Sequence, residues 1–180
     1  MDALSMLERD HRRVENMLSE LGESERGPER TALVEKLTKA LELHMRFEEE
    51  HVYPLLQEFD AETADEAGIE HQLARQGLAT VQEMVDKPGF GAAVDMLTGG
   101  ISHHVEEEEG EAFPSLRERC SADRLSSLGA TLLEEQRIAG MLPPEEATKE
   151  ELQTIAAQLG VEVKSSMSKD ELREAIETNA

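Results

Sequence analysis

The sequence predicts an all-α fold: an antiparallel four-helix bundle with a pseudo-twofold repeat, a fifth helix and a small C-terminal helical unit. Apolar residues recur every three or four positions almost throughout, the period of an amphipathic helix. β-branched runs and period-two alternation are missing, so nothing signals a strand. Polar landmarks also repeat at one offset, His11 with His71 and His44 with His104 (71 − 11 = 104 − 44 = 60). Such self-similarity makes two equivalent helical hairpins out of one pattern.

Helix A spans about Ala3 to Leu21, with Leu4, Leu7, His11, Val14, Leu18 and Leu21 on one stripe. Gly22 to Pro28 breaks it. Helix B runs from about Glu29 to Phe59, with Val34, Leu37, Leu41, His44, Glu48, Val52 and Leu55 inward, and Pro54 is expected to kink or interrupt it. Helix C runs from about Thr63 to Val85 and stops before Lys87-Pro88-Gly89. Helix D runs from about Phe90 to Arg119, with Val94, Leu97, Ile101, His104 and Glu108 inward. Pro114 is its expected kink, and Gly99-Gly100 weakens its middle. A fifth helix, about Ala122 to Ala139, follows Ser121.

Pro143-Pro144 marks residues 141–147 as a linker between a 1–140 bundle and a 148–180 tail. The tail carries two short amphipathic stretches, about Lys149 to Leu159 and Lys169 to Glu177. Gly160 ends the first, and Ser168 is placed to cap the second with Glu171 three residues later. So small a unit is expected to be marginal alone or to dock on a partner.

Composition narrows the function. Lys and Arg number 18 against 40 Asp and Glu, so the net charge is 18 − 40 = −22. That surface repels phosphate backbones, which argues against nucleic acid, and it suits cations. The single cysteine, Cys120, excludes an internal disulfide and any multi-cysteine zinc site. The N-terminus lacks the apolar run of a signal peptide, and no stretch is apolar enough to span a membrane. A cytoplasmic protein is the expectation.

The repeat has a chemical consequence. Asp10-His11 overlays Glu70-His71, His44 overlays His104, Glu48-Glu49 overlays Glu108-Glu109, and Tyr53-Pro54 overlays Phe113-Pro114. Residues i and i+4 of a helix lie about 40° apart and project from one face. His44 with Glu48, and His104 with Glu108, therefore each point two donor atoms the same way. A twofold axis gathers His11, His44, Glu48, His71, His104 and Glu108 at mid-bundle. One His-x-x-x-Glu means little where 40 of 180 residues are acidic. Four inward His and two inward Glu, however, are a heavy polar load that costs several kcal/mol per unpaired charge. A metal pair removes that cost. Ca²⁺ and Mg²⁺ want oxygen shells, and structural zinc is closed and tetrahedral. Two non-haem irons, bridged by carboxylate and by an oxo or hydroxo group, match best, ahead of manganese or zinc.

These residues resemble the hemerythrin-like HHE cation-binding domain, over roughly residues 1–120. The resemblance rests on Asp10-His11, His44-Met45-Arg46-Phe47-Glu48-Glu49-Glu50-His51-Val52-Tyr53-Pro54, Glu70-His71, and His104-Val105-Glu106-Glu107-Glu108-Glu109-Gly110-Glu111-Ala112-Phe113-Pro114. It implies a four-helix bundle with a non-haem di-iron centre, ligated by the six positions above. It also implies chemistry with dioxygen, nitric oxide, peroxide or iron itself, or a sensing role. The sequence departs from the oxygen-carrying members. They place a second His four residues after the helix C His, where this chain has Arg75, and an Asp at +5 where Glu108 stands at +4. The implied loss of one iron ligand disfavours reversible oxygen carriage and favours reaction with a small ligand. Arg75 is either a cation near a bound anion or a chain reaching solvent.

His51 and Glu111 lie seven residues beyond the motif His residues, hence near the same stripe. Each is a replacement ligand, an acceptor for an imidazole N–H, or a surface residue near the bundle end. Tyr53 lies about 180° round an ideal helix from His44, so only the kink before Pro54 could swing it inward; core packing is the simpler expectation. His103 is expected to be exposed. No catalytic residue is assigned. The tail motifs Thr148-Lys149-Glu150-Glu151-Leu152, Ile155-Ala156, Leu159-Gly160-Val161 and Ser166-Met167-Ser168-Lys169-Asp170-Glu171-Leu172 resemble the small helical fold of the Rho termination factor N-terminal domain and its SAP-like relatives. That resemblance implies nucleic acid, but the acidic tail argues instead for a protein partner or self-association. A redox protein, a sensor and an iron-handling protein all fit the same ligands.

Overall fold

The computed structural model describes residues 1–139, 141, 149–158, 161, 163–164 and 166–178. The linker expected over 141–147, Thr148 and the helix stop at Gly160 lie outside the described residues, apart from Met141. The fold is all-helical, with no strand among the described residues. The elements are α1 (Ala3–Glu23), α2 (Pro28–Phe47), a π-helical segment (Glu48–Val52), α3 (Tyr53–Gln57), α4 (Ala61–Met84), α5 (Phe90–Glu107), a second π-helical segment (Glu108–Ala112), α6 (Phe113–Arg119), α7 (Ala122–Ile138), α8 (Lys149–Gln158) and α9 (Lys169–Thr178). Contacts divide the chain into two compact units, Leu7–Ser121 and Met1–Met6 with Ala122–Ala180.

In the first unit the predicted stripes of α1, α2 and α5 are buried, but Leu55, predicted inward, lies past the π turn and is only half-buried, while Leu56 is buried. Leu7, Val14, Leu18 and Leu21 of α1 and Val34, Leu37 and Leu41 of α2 are buried, as are Leu78 and Val81 of α4 and Val94, Leu97 and Ile101 of α5. Local chemistry sets the helix starts. Pro28 opens α2, where its missing N–H costs nothing. Asp60 caps α4 by accepting from the Thr63 N–H at 3.2 Å. Gly89 precedes α5 in the left-handed region (φ 95°), which a side chain disfavours. Gly99-Gly100 sits within α5 without breaking it.

The expected kinks at Pro54 and Pro114 take a specific form. Proline has no N–H to donate, and its ring would strike the carbonyl four residues back. The helix absorbs this by widening to a π turn just before each proline, so that the Tyr53 N–H reaches Glu48 O and the Phe113 N–H reaches Glu108 O. Each proline then opens a new α-helix, α3 or α6. A π turn spends one extra residue, about 100° of rotation, at each motif.

In the second unit, Leu125, Leu128, Leu132 and Leu133 of α7, Leu152, Ile155 and Ala156 of α8, and Leu172 and Ile176 of α9 are buried. The predicted box at Ser168 forms in both directions. The Glu171 N–H donates to Ser168 Oγ at 3.2 Å, and the Ser168 N–H donates to Glu171 Oε2 at 2.7 Å.

Candidate metal centre

All six predicted positions converge in the first unit. His11, His44, Glu48, His71, His104 and Glu108 are 2%, 3%, 0%, 1%, 5% and 2% exposed. They come from α1, α2, α4, α5 and the first residue of each π segment. The twofold repeat is visible in the distances. His11 Nε2 lies 3.1 Å from His44 Nε2, and His71 Nε2 lies 3.1 Å from His104 Nε2. Glu48 Oε2 is 3.1 Å from His44 Nε2 and 3.4 Å from His71 Nε2. Glu108 Oε2 is 3.3 Å from His11 Nε2 and 3.5 Å from His104 Nε2. Two buried donor groups result, His11–His44–Glu48–Glu108 and Glu48–His71–His104, with Glu48 common to both.

The outer nitrogens show which tautomers these are. His11 Nδ1 bonds Glu109 Oε1 at 2.8 Å, His71 Nδ1 bonds Glu49 Oε1 at 3.1 Å, and His104 Nδ1 bonds Glu70 Oε2 at 2.8 Å. A carboxylate accepts only, so each Nδ1 carries a proton and each ring turns its Nε2 inward toward the other donors. Two ring nitrogens 3.1 Å apart need a proton or a metal ion between them. Both Glu48 oxygens, Glu108 Oε2 and His44 Nδ1 are buried without a hydrogen bond. Such orphans cost about 1–3 kcal/mol each. Donor atoms 3.1–3.5 Å apart match the edges of a polyhedron with ~2.1 Å bonds, about 3.0 Å if octahedral and about 3.4 Å if tetrahedral. Imidazole and carboxylate together suit first-row ions. The residues present therefore fit a first-row metal ion.

The electrostatics of the site set its imidazoles and carboxylates apart from one another. Burial, then neighbouring His11, holds the His44 imidazole well below its usual range. Burial and then His104 bring His71 down to about 4. Burial also pulls His104 down, but Glu108 and Glu70 outweigh it and leave it raised. Burial and the facing Glu108 push Glu48 well above the carboxylate range. Burial pushes Glu108 up as well, yet His104 and His11 outweigh it and bring it down to about 2.

A model of the hemerythrin HHE cation-binding domain matches residues 2–116. The chain belongs to the hemerythrin HHE cation-binding family. Membership implies cation binding, with iron the expected ion, and the two buried His/Glu groups are able to hold a metal. The match to the hemerythrin domain stops short of the C-terminal helices. No curated protein and no solved structure matches the chain. No described helix is long and apolar enough to cross a membrane.

Within this hemerythrin domain the remaining candidates separate. Tyr53 faces the cluster, against the expectation of core packing alone. Its hydroxyl donates to Glu108 Oε1 at 2.9 Å and lies 2.9 Å from His71 Nε2. The π turn explains this: removing about 100° from an ideal separation of about 180° leaves Tyr53 about 80° from His44. Burial and then Glu48 hold the phenol well above its usual range. Its repeat mate Phe113 stacks on His11 instead, with ring centroids 5.8 Å apart and an interplanar angle of 10°. The same turn carries His51 and Glu111 off the stripe. His51 is half-buried beside Phe47, Glu111 is exposed, and neither joins the two buried groups.

Glu70 is the Nδ1 acceptor of His104. Arg75 neither approaches an inward donor nor simply reaches solvent. Its guanidinium grips Glu49 at 2.7 and 3.0 Å, and Glu49 bonds His71. Arg12 grips Glu109, which bonds His11. Glu49, Glu109 and Arg12 are the residues that sequence reasoning missed as supports. The repeat held the signal for the two glutamates, which overlay at an offset of 109 − 49 = 60. The clamping arginines had no such signal, because Arg12 and Arg75 do not overlay.

Proposed function

We propose that this chain holds two iron ions, one in each buried donor group, and binds or reacts with dioxygen, peroxide or nitric oxide. Iron in such a site supplies redox chemistry toward these small molecules. The observation that carries the reading is Glu48. Its two oxygens lie fully buried without a hydrogen bond, between His44 and His71 of opposite donor groups. A carboxylate so placed serves two cations and is costly with none. His11, His44, His71, His104 and Glu108 complete the proposed ligand set. Glu109, Glu49 and Glu70 hold three of the rings in register and make them better donors. Tyr53 brings a hydroxyl to the cluster, so it either completes the shell on the His71 side or donates a hydrogen bond to the small ligand. Phe113, fully buried against His11, keeps water from that ring.

Metal analysis with an absorption spectrum of freshly purified protein tests the reading. The chain has no Trp and one Tyr, so bands from bridged iron stand clear of protein absorption. About two irons per chain are expected, lost in Glu48→Ala and Glu108→Ala. Metal-free protein, or a single tightly held zinc, would sink the di-iron reading. Consumption of peroxide by the iron-loaded chain then identifies an enzyme. The alternative, a sensor or iron-handling protein, predicts no turnover and a metal-dependent change in how residues 148–180 meet a partner. In either case we place the metal function in the bundle, so removal of residues 148–180 leaves iron content unchanged.

A further inference from the structure

Outside the buried cluster, a groove of about 400 Å³ opens beside α4 and α5, lined by Asp65, Glu66, Ile69, Glu70, His103 and Glu107. Four of these six are carboxylates, and no Lys or Arg lines it. Acidic grooves are usually just solvated, but three features set this one apart. First, an imidazole nitrogen sits between two carboxylate oxygens. His103 Nε2 is 3.5 Å from Glu70 Oε1 and 3.4 Å from Glu107 Oε1. Those separations exceed the usual hydrogen-bond range of about 2.7–3.2 Å. They equal the edge of a tetrahedron with ~2.1 Å bonds, about 3.4 Å. Second, Glu70 is held by its other oxygen, which bonds His104 Nδ1 at 2.8 Å, so Oε1 is presented to the groove at little entropic cost. Third, His103 and Glu107 are an i,i+4 pair, the spacing that points two donors one way from a helix.

We propose that Glu70 Oε1, His103 Nε2 and Glu107 Oε1 form a solvent-facing site for a first-row divalent cation, separate from the buried cluster and joined to it through Glu70. An imidazole with two carboxylates suits Zn²⁺, Fe²⁺, Mn²⁺ or Co²⁺ over Ca²⁺ and Mg²⁺, which take oxygen shells. His103 is 63% exposed, so the ion exchanges with solvent, and water fills its remaining positions. Asp65 and Glu66 on the groove wall raise the local cation concentration. Because Glu70 touches both His103 and His104, an ion here lies one carboxylate away from a buried donor. The site is thereby suited to receiving metal from solution on its way inward. It needs no particular occupancy of the buried cluster.

Calorimetric titration of the full chain with Zn²⁺ tests this, with wild type, His103→Ala, Glu107→Gln and His44→Ala compared. His103→Ala should lose about one Zn²⁺ per chain, and Glu107→Gln should bind that ion at least about tenfold more weakly, while both keep the wild-type far-ultraviolet circular dichroism. His44→Ala should retain that ion. Identical isotherms for wild type and His103→Ala would overturn the site, as would loss of the same ion in His44→Ala. A His44→Ala titration indistinguishable from wild type would instead count against the buried cluster while leaving the outer site standing.

Discussion

Glu48→Gln should push the metal-free and metal-loaded proteins in opposite directions. Glu48 is fully buried, neither of its oxygens has a hydrogen bond, and burial with Glu108 pushes its pKa well above the usual range. Whether the metal-free carboxyl keeps its charge or takes up a proton at neutral pH, folding bears the cost. Glutamine has the same shape without the charge, and its amide can donate to or accept from the ring nitrogens of His44 and His71, which lie 3.1 and 3.4 Å from Glu48 Oε2. Relief of one orphaned buried acceptor is worth about 1–3 kcal/mol. At this chain length each kcal/mol moves Tm by about 2–4 °C. Metal-free Glu48→Gln should therefore melt above metal-free wild type. Iron reverses the order, because a ligand at a hundred times its Kd stabilises by about 2.7 kcal/mol and the variant has lost the shared carboxylate. The assay is thermal and urea unfolding of chelator-stripped and iron(II)-loaded protein, side by side. A stripped variant less stable than stripped wild type refutes the reasoning, as does a loaded variant stabilised as much as wild type.

Arg75→Ala should change stability by less than about 1 kcal/mol, since the pair it breaks is partly exposed. It should weaken metal binding about tenfold in chelator competition, because Glu49 loses its hold on His71. The double variant with Glu49→Gln should be no weaker than Glu49→Gln alone, and additive losses would show that Arg75 does not act through Glu49. In the metal-free Glu48→Gln background, acid should destabilise the bundle between pH 6.5 and 4. His71 is held at about 4 in the fold against an ordinary 6.5, so the unfolded chain binds the proton first and stability is lost as pH falls through that window. The gap corresponds to about 3 kcal/mol, and a flat urea midpoint from pH 6.5 to 4 would contradict it. Gly129→Ala should cost about 1–3 kcal/mol in urea unfolding, since an added Cβ would strike the Met1 carbonyl oxygen and crowd the Ala3 amide at 3.1 Å. Iron content should not change.

The all-helical fold was legible because burial writes itself at a period of 3.6. Leu37, Leu41, Leu97 and Ile101 recur on the predicted stripes and are buried there. The gathering of six His and Glu residues was legible for the same reason, since each stands where an apolar residue would otherwise be. The offset between the hairpins fixed which of them answer one another. The helix ends moved by a residue or two, at Pro28 and Asp60, where a cap or a proline at the first turn decides the boundary.

What lay beyond the sequence depends on two physical facts. The prolines announced a disturbance, but whether a helix kinks, breaks or widens is settled by how the packed bundle re-satisfies the lost hydrogen bond. Here a π turn does so, and it alone brings Tyr53 to the cluster while turning His51 and Glu111 away from it. The supports are long-range pairs between helices, Arg75 with Glu49 and His71, and Arg12 with Glu109 and His11. No spacing along one helix encodes them. Periodicity and repetition by themselves determined an all-α chain with six inward His and Glu positions. Only the tertiary structure decided which of their neighbours hold those residues in place, because hydrogen bonds between helices follow from distance in space, and a single extra residue in a turn rotates everything after it.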